Sequence, residues 1–137
     1  MSYLIDTNVI SELYRGEKCD PRVARWFDSI GDEDLFISVL VLGEIRKGAE
    51  KIRHRDPDRA KTIEIWLSGL EDIFEDRVLP VVSQVADVWG RMSARRSVHV
   101  VDCLQAATAK VLGLTMVTRN TSDFDGLDVA VLNPFAP

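Results

Sequence analysis

The sequence predicts an α/β fold, a mostly parallel β-sheet flanked by helices in a three-layer arrangement. Two observations carry that expectation. Short apolar runs of strand length alternate with longer segments whose apolar residues recur at helical spacing. Helix-start and helix-stop residues stand at the boundaries between them. A third observation sets the scale: 137 residues suffice for one domain with one hydrophobic core.

The elements follow in order. Tyr3 to Asp6 reads as a short buried strand, and helical signals run from Thr7 to about Tyr14, with a loop at Gly16. Asp20-Pro21 is an N-cap followed by proline at the first helical position. The helix it opens carries Val23, Trp26, Phe27 and Ile30 and stops at Gly31. Leu35 to Ser38 is a second strand; Ser38 then caps a helix with Val39, Leu42, Ile45, Ala49 and Ile52 on one face. Asp56-Pro57 opens another, carrying Ala60, Ile63, Leu67, Leu70 and Phe74. Val78 to Val82 is a third strand, and Ser83 caps a helix through Val85, Val88, Trp89 and Met92. Asp102 begins a helix rich in small residues that ends at Gly113. Leu114 to Thr118 and Val129 to Leu132 complete the strands. There is no internal repeat, linker or low-complexity segment, so the expectation is one domain over 1–137.

Bulk properties narrow the function. No apolar run approaches the ~20 residues that cross a bilayer. The start, Met1-Ser2-Tyr3-Leu4-Ile5-Asp6, lacks the basic region of a signal peptide. Cys19 and Cys103 suggest no disulfide framework, and a cytoplasmic protein is the simple reading. A net charge of −5 argues against non-specific coating of nucleic acid. It leaves a nuclease open, because an acidic metal site lowers the total while basic residues elsewhere hold phosphates. Basic residues are indeed uneven: Arg46 to Lys61 carries a local positive excess, and Arg91, Arg95 and Arg96 form a second cluster. Solvated helix faces explain such runs equally well.

Four acids mark four signposts: Asp6 after the first strand, Glu44 in Gly43-Glu44-Ile45-Arg46, Asp102 in Val101-Asp102-Cys103, and Asp123 in Ser122-Asp123-Phe124. Each alone has an ordinary explanation. Asp6 caps a helix, Glu44 pairs with Lys47 or Lys51, Asp102 answers a helix dipole, and Asp123 belongs to a turn. Together they point further. In a parallel sheet the binding crevice lies beyond the carboxyl ends of the strands, where Asp6 and Asp123 fall. Converging carboxylates repel one another and call for a cation. Hard oxygen donors suit magnesium or manganese, hence metal-assisted chemistry on a phosphate. Gly48, one turn beyond Glu44, leaves space beside it.

The set of motifs resembles the PIN-domain family, and within it the VapC-type toxins of bacterial toxin–antitoxin modules, in the FitB-like subgroup. Asp6-Thr7-Asn8-Val9-Ile10-Ser11-Glu12-Leu13 looks like the opening motif, and Ser38 to Gly48, with Glu44 and Arg46, like the second. Asp102 to Ala109 looks like the third, and Thr118-Arg119-Asn120 with Asp123-Phe124 like the fourth. The likeness extends to Leu132-Asn133-Pro134-Phe135 and covers essentially the whole chain. Gln105 stands where an aliphatic residue is usual, and Asp125 competes with Asp123 as the fourth acid, though Asp123 fits the spacing better.

The resemblance implies a PIN-like fold and an endoribonuclease dependent on Mg2+ or Mn2+. It implies a small cognate antitoxin of the VapB or FitA kind, and a homodimer. Asp6, Glu44, Asp102 and Asp123 are then both the catalytic residues and the metal ligands, with water activated for attack on phosphorus. Thr7 and Asn8 orient Asp6; Thr118 and Asn120 reach a carboxylate, a water or the scissile phosphate. Arg46 contacts RNA phosphate or an antitoxin carboxylate. His54 and His99 lie outside the motifs and read as surface groups. Two alternatives use the same residues: a catalytically silent PIN-like binding module, and a DNA-directed nuclease, since this hydrolysis needs no 2′-hydroxyl. An aspartyl phosphatase would want a second aspartate where Asn8 stands.

Overall fold

A computed structural model describes residues 1–136. Five strands, β1 (Tyr3–Ile5), β2 (Leu35–Ser38), β3 (Val78–Leu79), β4 (Thr115–Val117) and β5 (Val131–Leu132), form one sheet in the order β3-β2-β1-β4-β5. Every neighbouring pair is parallel, so the whole sheet is parallel. Parallel neighbours need long crossovers, and these supply the helices. Helices α1 (Thr7–Tyr14) and α2 (Pro21–Asp28) join β1 to β2; α3 (Val39–Ile52) and α4 (Pro57–Phe74) join β2 to β3. Helices α5 (Ser83–Arg95) and α6 (Val100–Leu112) then carry the chain back across to β4.

The direction of travel sets the layers. From β1 the chain steps outward twice, then returns to lay β4 on the opposite side of β1. Crossovers of one hand that run in opposite directions place their helices on opposite faces. Side chains alternate accordingly. Tyr3, Ile5, Ile37 and Val117 pack into one core cluster with residues of α1 to α4. Leu4 and Met116 pack into the other with residues of α5 and α6. Leu4, Ile5, Ile37, Met116 and Val117 are fully buried, each contributing roughly 1.5–3 kcal/mol. Strand order reverses at β1 and β4, so their carboxyl ends define the crevice.

The caps follow the sequence signals in part. Asp20 accepts from the Arg22 backbone N–H, Ser38 from that of Leu40 and Asp56 from that of Arg59. Gly113 ends α6 with φ +67°, a left-handed conformation that glycine adopts without strain. Other expectations need correction. The third strand pairs over Val78–Leu79 only, because Pro80 offers no N–H; Val81 and Val82 are exposed. The fourth and fifth strands are likewise shorter than expected. Helix α2 ends at Asp28, before Gly31. Ser83 is the first residue of α5 and makes no cap hydrogen bond. Helix α6 begins at Val100, so Asp102 lies within its first turn. On α3 the buried residues are Val41, Ile45 and Ala49, while Val39 faces solvent. Ala106, Ala107 and Ala109 are fully buried against the sheet.

Candidate active site

Asp6 sits at the carboxyl end of β1 and at the N-terminus of α1. Its backbone N–H donates to Val117 O at 2.9 Å, continuing the β1–β4 pairing by one residue. Its carboxylate is buried and held by donors from three separate parts of the chain. Oδ1 accepts the Thr7 backbone N–H at 2.8 Å and the Gln105 Nε2 amide at 3.1 Å. Oδ2 accepts the Thr118 hydroxyl at 2.8 Å and, at a longer 3.4 Å, the Asn8 amide. Every one of these partners is neutral.

Thr118 is the hub behind Asp6. It is fully buried at the carboxyl end of β4. While its hydroxyl donates to Asp6, its oxygen accepts from Asn8 Nδ2 at 3.2 Å and from the Asn120 backbone N–H at 3.1 Å. Asn8 Oδ1 accepts the Arg119 backbone N–H at 3.1 Å, which ties the start of α1 to the loop after β4. Asn120 itself is exposed and reaches the network through its backbone.

Glu44 is joined to this centre by Thr7, whose hydroxyl donates to Glu44 Oε1 at 2.6 Å. The Thr7 side chain therefore orients Glu44, and its backbone orients Asp6. Beside Glu44 lies an open groove of about 380 Å³, lined also by Tyr14, Gly48, Arg59 and Trp66. A side chain at Gly48 would meet nothing within 4 Å, so the space expected there is real. The Tyr14 and Trp66 rings stack at 4.3 Å along it.

Asp102 reports the electrostatics. Its carboxyl is pushed up from 3.8 to about 6. Burial is the largest cause, followed by the charge of Asp6; His99 opposes the rise, and Asp123 and Glu44 add to it. Asp6, Asp123 and Glu44 thus all lie close enough to act on Asp102. Asp123 belongs to the turn Thr121–Phe124 after β4 and is exposed.

The residues suit a hydrated divalent ion. All four candidate donors are carboxylates, and among the described residues none of them forms an ion pair with lysine or arginine. No three histidine, cysteine, aspartate or glutamate side chains there enclose an ion by themselves. Magnesium keeps several waters and takes one or two carboxylates directly, so it does not require three of them around it. The Gln105 amide turns its NH2 to Asp6 and leaves Oε1 buried without a partner. An acceptor-only carboxylate dictates that orientation.

Some placements differ from the sequence reading. Arg46 pairs with Glu64 of α4 at 2.8 Å, and Arg53 pairs with the same carboxylate. His99 is exposed as expected, yet its Nδ1 lies 4.0 Å from Asp102 Oδ2, one helical turn before it. The spacing His99-Val100-Val101-Asp102 was the available signal. Glu12, part of the opening motif but given no role there, is buried; it accepts the Asp20 backbone N–H at 2.8 Å and pairs with Arg15 at 3.2 Å. It fastens the end of α1 to the start of α2.

A parallel sheet whose strand order reverses beside buried and half-buried carboxylates defines an open α/β protein with its crevice at the carboxyl ends of the strands. The match to known proteins is narrower. Residues 3–129 match the PIN domain, and the chain belongs to that family. It is 34% identical to Toxin FitB of Neisseria gonorrhoeae, over 96% of this chain and 97% of that protein. It is 29% identical to VapC ribonuclease Y4jK of Sinorhizobium fredii, over 98% of each. The crystal structure of FitAcB from Neisseria gonorrhoeae superposes with a TM-score of 0.87 at 32% identity, covering 98% of this chain and 99% of that one. Among the described residues no helix is long and apolar enough to cross a membrane.

Proposed function

We propose that the protein is a divalent-metal-dependent endoribonuclease and the toxin of a toxin–antitoxin module. The observation that carries this reading is the Asp102 carboxyl near the strand-reversal point, held at about 6 first by burial and then by the charges of Asp6, Asp123 and Glu44. Relatives named as a toxin and as a VapC ribonuclease support the substrate class. Solved FitAB and VapBC complexes support a small cognate antitoxin as partner. Asp6, Glu44, Asp102 and Asp123 are the proposed ligands of Mg2+ or Mn2+. When bound, such an ion lowers the pKa of a coordinated water and stabilises the leaving oxygen.

The chain's own residues prepare that chemistry. Thr118 and Gln105 each occupy one oxygen of Asp6 and fix its plane. Thr7 aims Glu44. Asp102, half-buried with its carboxyl at about 6, would hold an ion best above that pH, where it is ionised. Asn8 ties the loop carrying Arg119 and Asn120 to the start of α1, so groups facing the substrate keep a fixed distance from Asp6. The deciding experiment incubates purified protein with a mixed RNA pool in magnesium, with and without chelator, beside the Asp6→Asn protein. Cleavage that needs both the metal and Asp6 is expected. Chelator-insensitive cleavage, or full activity in Asp6→Asn, would sink the reading.

A further inference from the structure

A basic hollow borders the acidic centre, and no part of the function above uses it. It has a volume of about 480 Å³ and is lined by Arg15, Lys18, Arg22, Arg25 and Arg119, against two acids, Glu12 and Asp20. The acids are already engaged: Glu12 with Arg15 and Asp20 with Arg22. Lys18, Arg25 and Arg119 remain, and among the described residues none of them has an ion-pair partner. The hollow therefore carries a surplus of three positive charges on a chain whose net charge is −5. The Arg119 guanidinium lies over the Phe135 ring at 4.3 Å. That stacking holds its face and leaves its edge N–H groups free to bind an anion.

Position selects the anion. Arg119 directly follows Thr118, the residue that holds Asp6, and its backbone is bonded to Asn8. The hollow thus opens within one residue of the carboxylate cluster. A polyanion approaching four carboxylates meets repulsion unless neighbouring cations hold it, and clustered charge of one sign focuses the field. Several cations without acid partners suit successive phosphates better than one small anion.

We propose that this hollow is a phosphate-backbone subsite, gripping RNA phosphates that flank the scissile one, with the strand passing Arg119 into the acidic centre. The proposal rests on the nuclease reading and adds the track by which substrate enters. An acidic segment of a protein partner is the competing occupant. It is less favoured because the cations lead to the place where a phosphate must sit.

Lys18 and Arg25 are exposed and unpaired, so replacing them leaves the fold in place. A fluorescein-labelled short single-stranded RNA, in chelator to prevent cleavage, is titrated with protein between about 50 and 200 mM sodium chloride. In the Lys18→Gln, Arg25→Gln double variant the slope of log K against log salt should become shallower by about 1.4, that is about 0.7 for each phosphate no longer neutralised. An Arg91→Gln, Arg95→Gln control on α5 should keep the parental slope. An unchanged slope in the Lys18/Arg25 variant, with RNA still cleaved in magnesium by the parent, overturns the subsite and leaves the nuclease reading standing. A parent that neither binds nor cleaves RNA overturns both. A double variant that binds RNA normally but no longer retains a co-expressed antitoxin assigns the hollow to the partner, and again overturns the proposal.

Discussion

Replacing Asp102 by asparagine should stabilise the metal-free protein while weakening its response to magnesium. Three effects compete. The Asp102 carboxyl sits at about 6 against an ordinary 3.8, because burial and the charges of Asp6, Asp123 and Glu44 disfavour its ionised form. Taken in full, that gap corresponds to about 3 kcal/mol. The side chain is 24% exposed, so solvent screening leaves about 1–2 kcal/mol. Opposing it, a negative charge in the first turn of α6 gains about 0.3–1 kcal/mol from the helix dipole. The net is a stabilisation of about 1 kcal/mol for Asn, or a melting temperature higher by about 3–5 °C. The sign depends on pH. A carboxyl with a raised pKa contributes stability that is fully present below 3.8 and lost as pH rises through about 6. The gain from Asn therefore appears at neutral pH and vanishes below 3.8. Magnesium should reverse the ranking. Binding to the folded state adds about 2.7 kcal/mol at a hundredfold excess over Kd, and Asn forfeits part of it. Scanning calorimetry of both proteins, with and without magnesium at matched ionic strength, provides the test. Equal magnesium responses would remove Asp102 from the shared cation site, and an Asn variant less stable at neutral pH would refute the repulsion argument.

Four further expectations follow from the same geometry. Glu44→Gln should abolish most RNA cleavage with circular dichroism unchanged, because the amide still accepts from Thr7 but brings no charge; retained turnover would dismiss Glu44 as a ligand. Thr118→Val should cost about 1–3 kcal/mol in stability and at least about tenfold in cleavage, since it strips Asp6 and Asn8 of a buried partner, while Thr118→Ser should restore both; a Ser variant as poor as Val would mean that the methyl group matters, not the hydroxyl. Cleavage at limiting magnesium should fall as pH drops through about 6, and the midpoint should move lower as magnesium is raised, because ion and proton compete for Asp102; a midpoint insensitive to magnesium would assign the profile to another group. Expression alone should arrest growth, with relief by a co-expressed antitoxin; normal growth with soluble, nuclease-active protein would argue against a toxin.

Local chemistry made much of this molecule legible from sequence. Asp20-Pro21 and Asp56-Pro57 announced two helices because capping and proline preference are properties of neighbouring residues. Asp6 was visible as both a cap and a strand end. What sequence missed was decided at a distance. Pro80 cut a strand short that its valines favoured. Gln105, marked only as a departure from pattern, proved to hold Asp6 across a separation of 99 residues. The basic hollow draws on Arg15, Lys18, Arg22 and Arg25, which are sparser in sequence than the Arg46 to Lys61 run, and on Arg119, which only the β1–β4 pairing brings near. Arg46 lay in the motif as expected, but its partner Glu64 comes from the next helix.

The bond between Thr118 and Asp6 joins residues 112 positions apart. During synthesis, Asp6 leaves the ribosome 112 residues ahead of its anchor. A growing chain holds all of α1 to α6 before β4 exists to complete the crevice. Truncated or stalled products therefore lack an assembled centre. A chain that stops short of Thr118 leaves the Asp6 carboxylate without the hydroxyl that holds it.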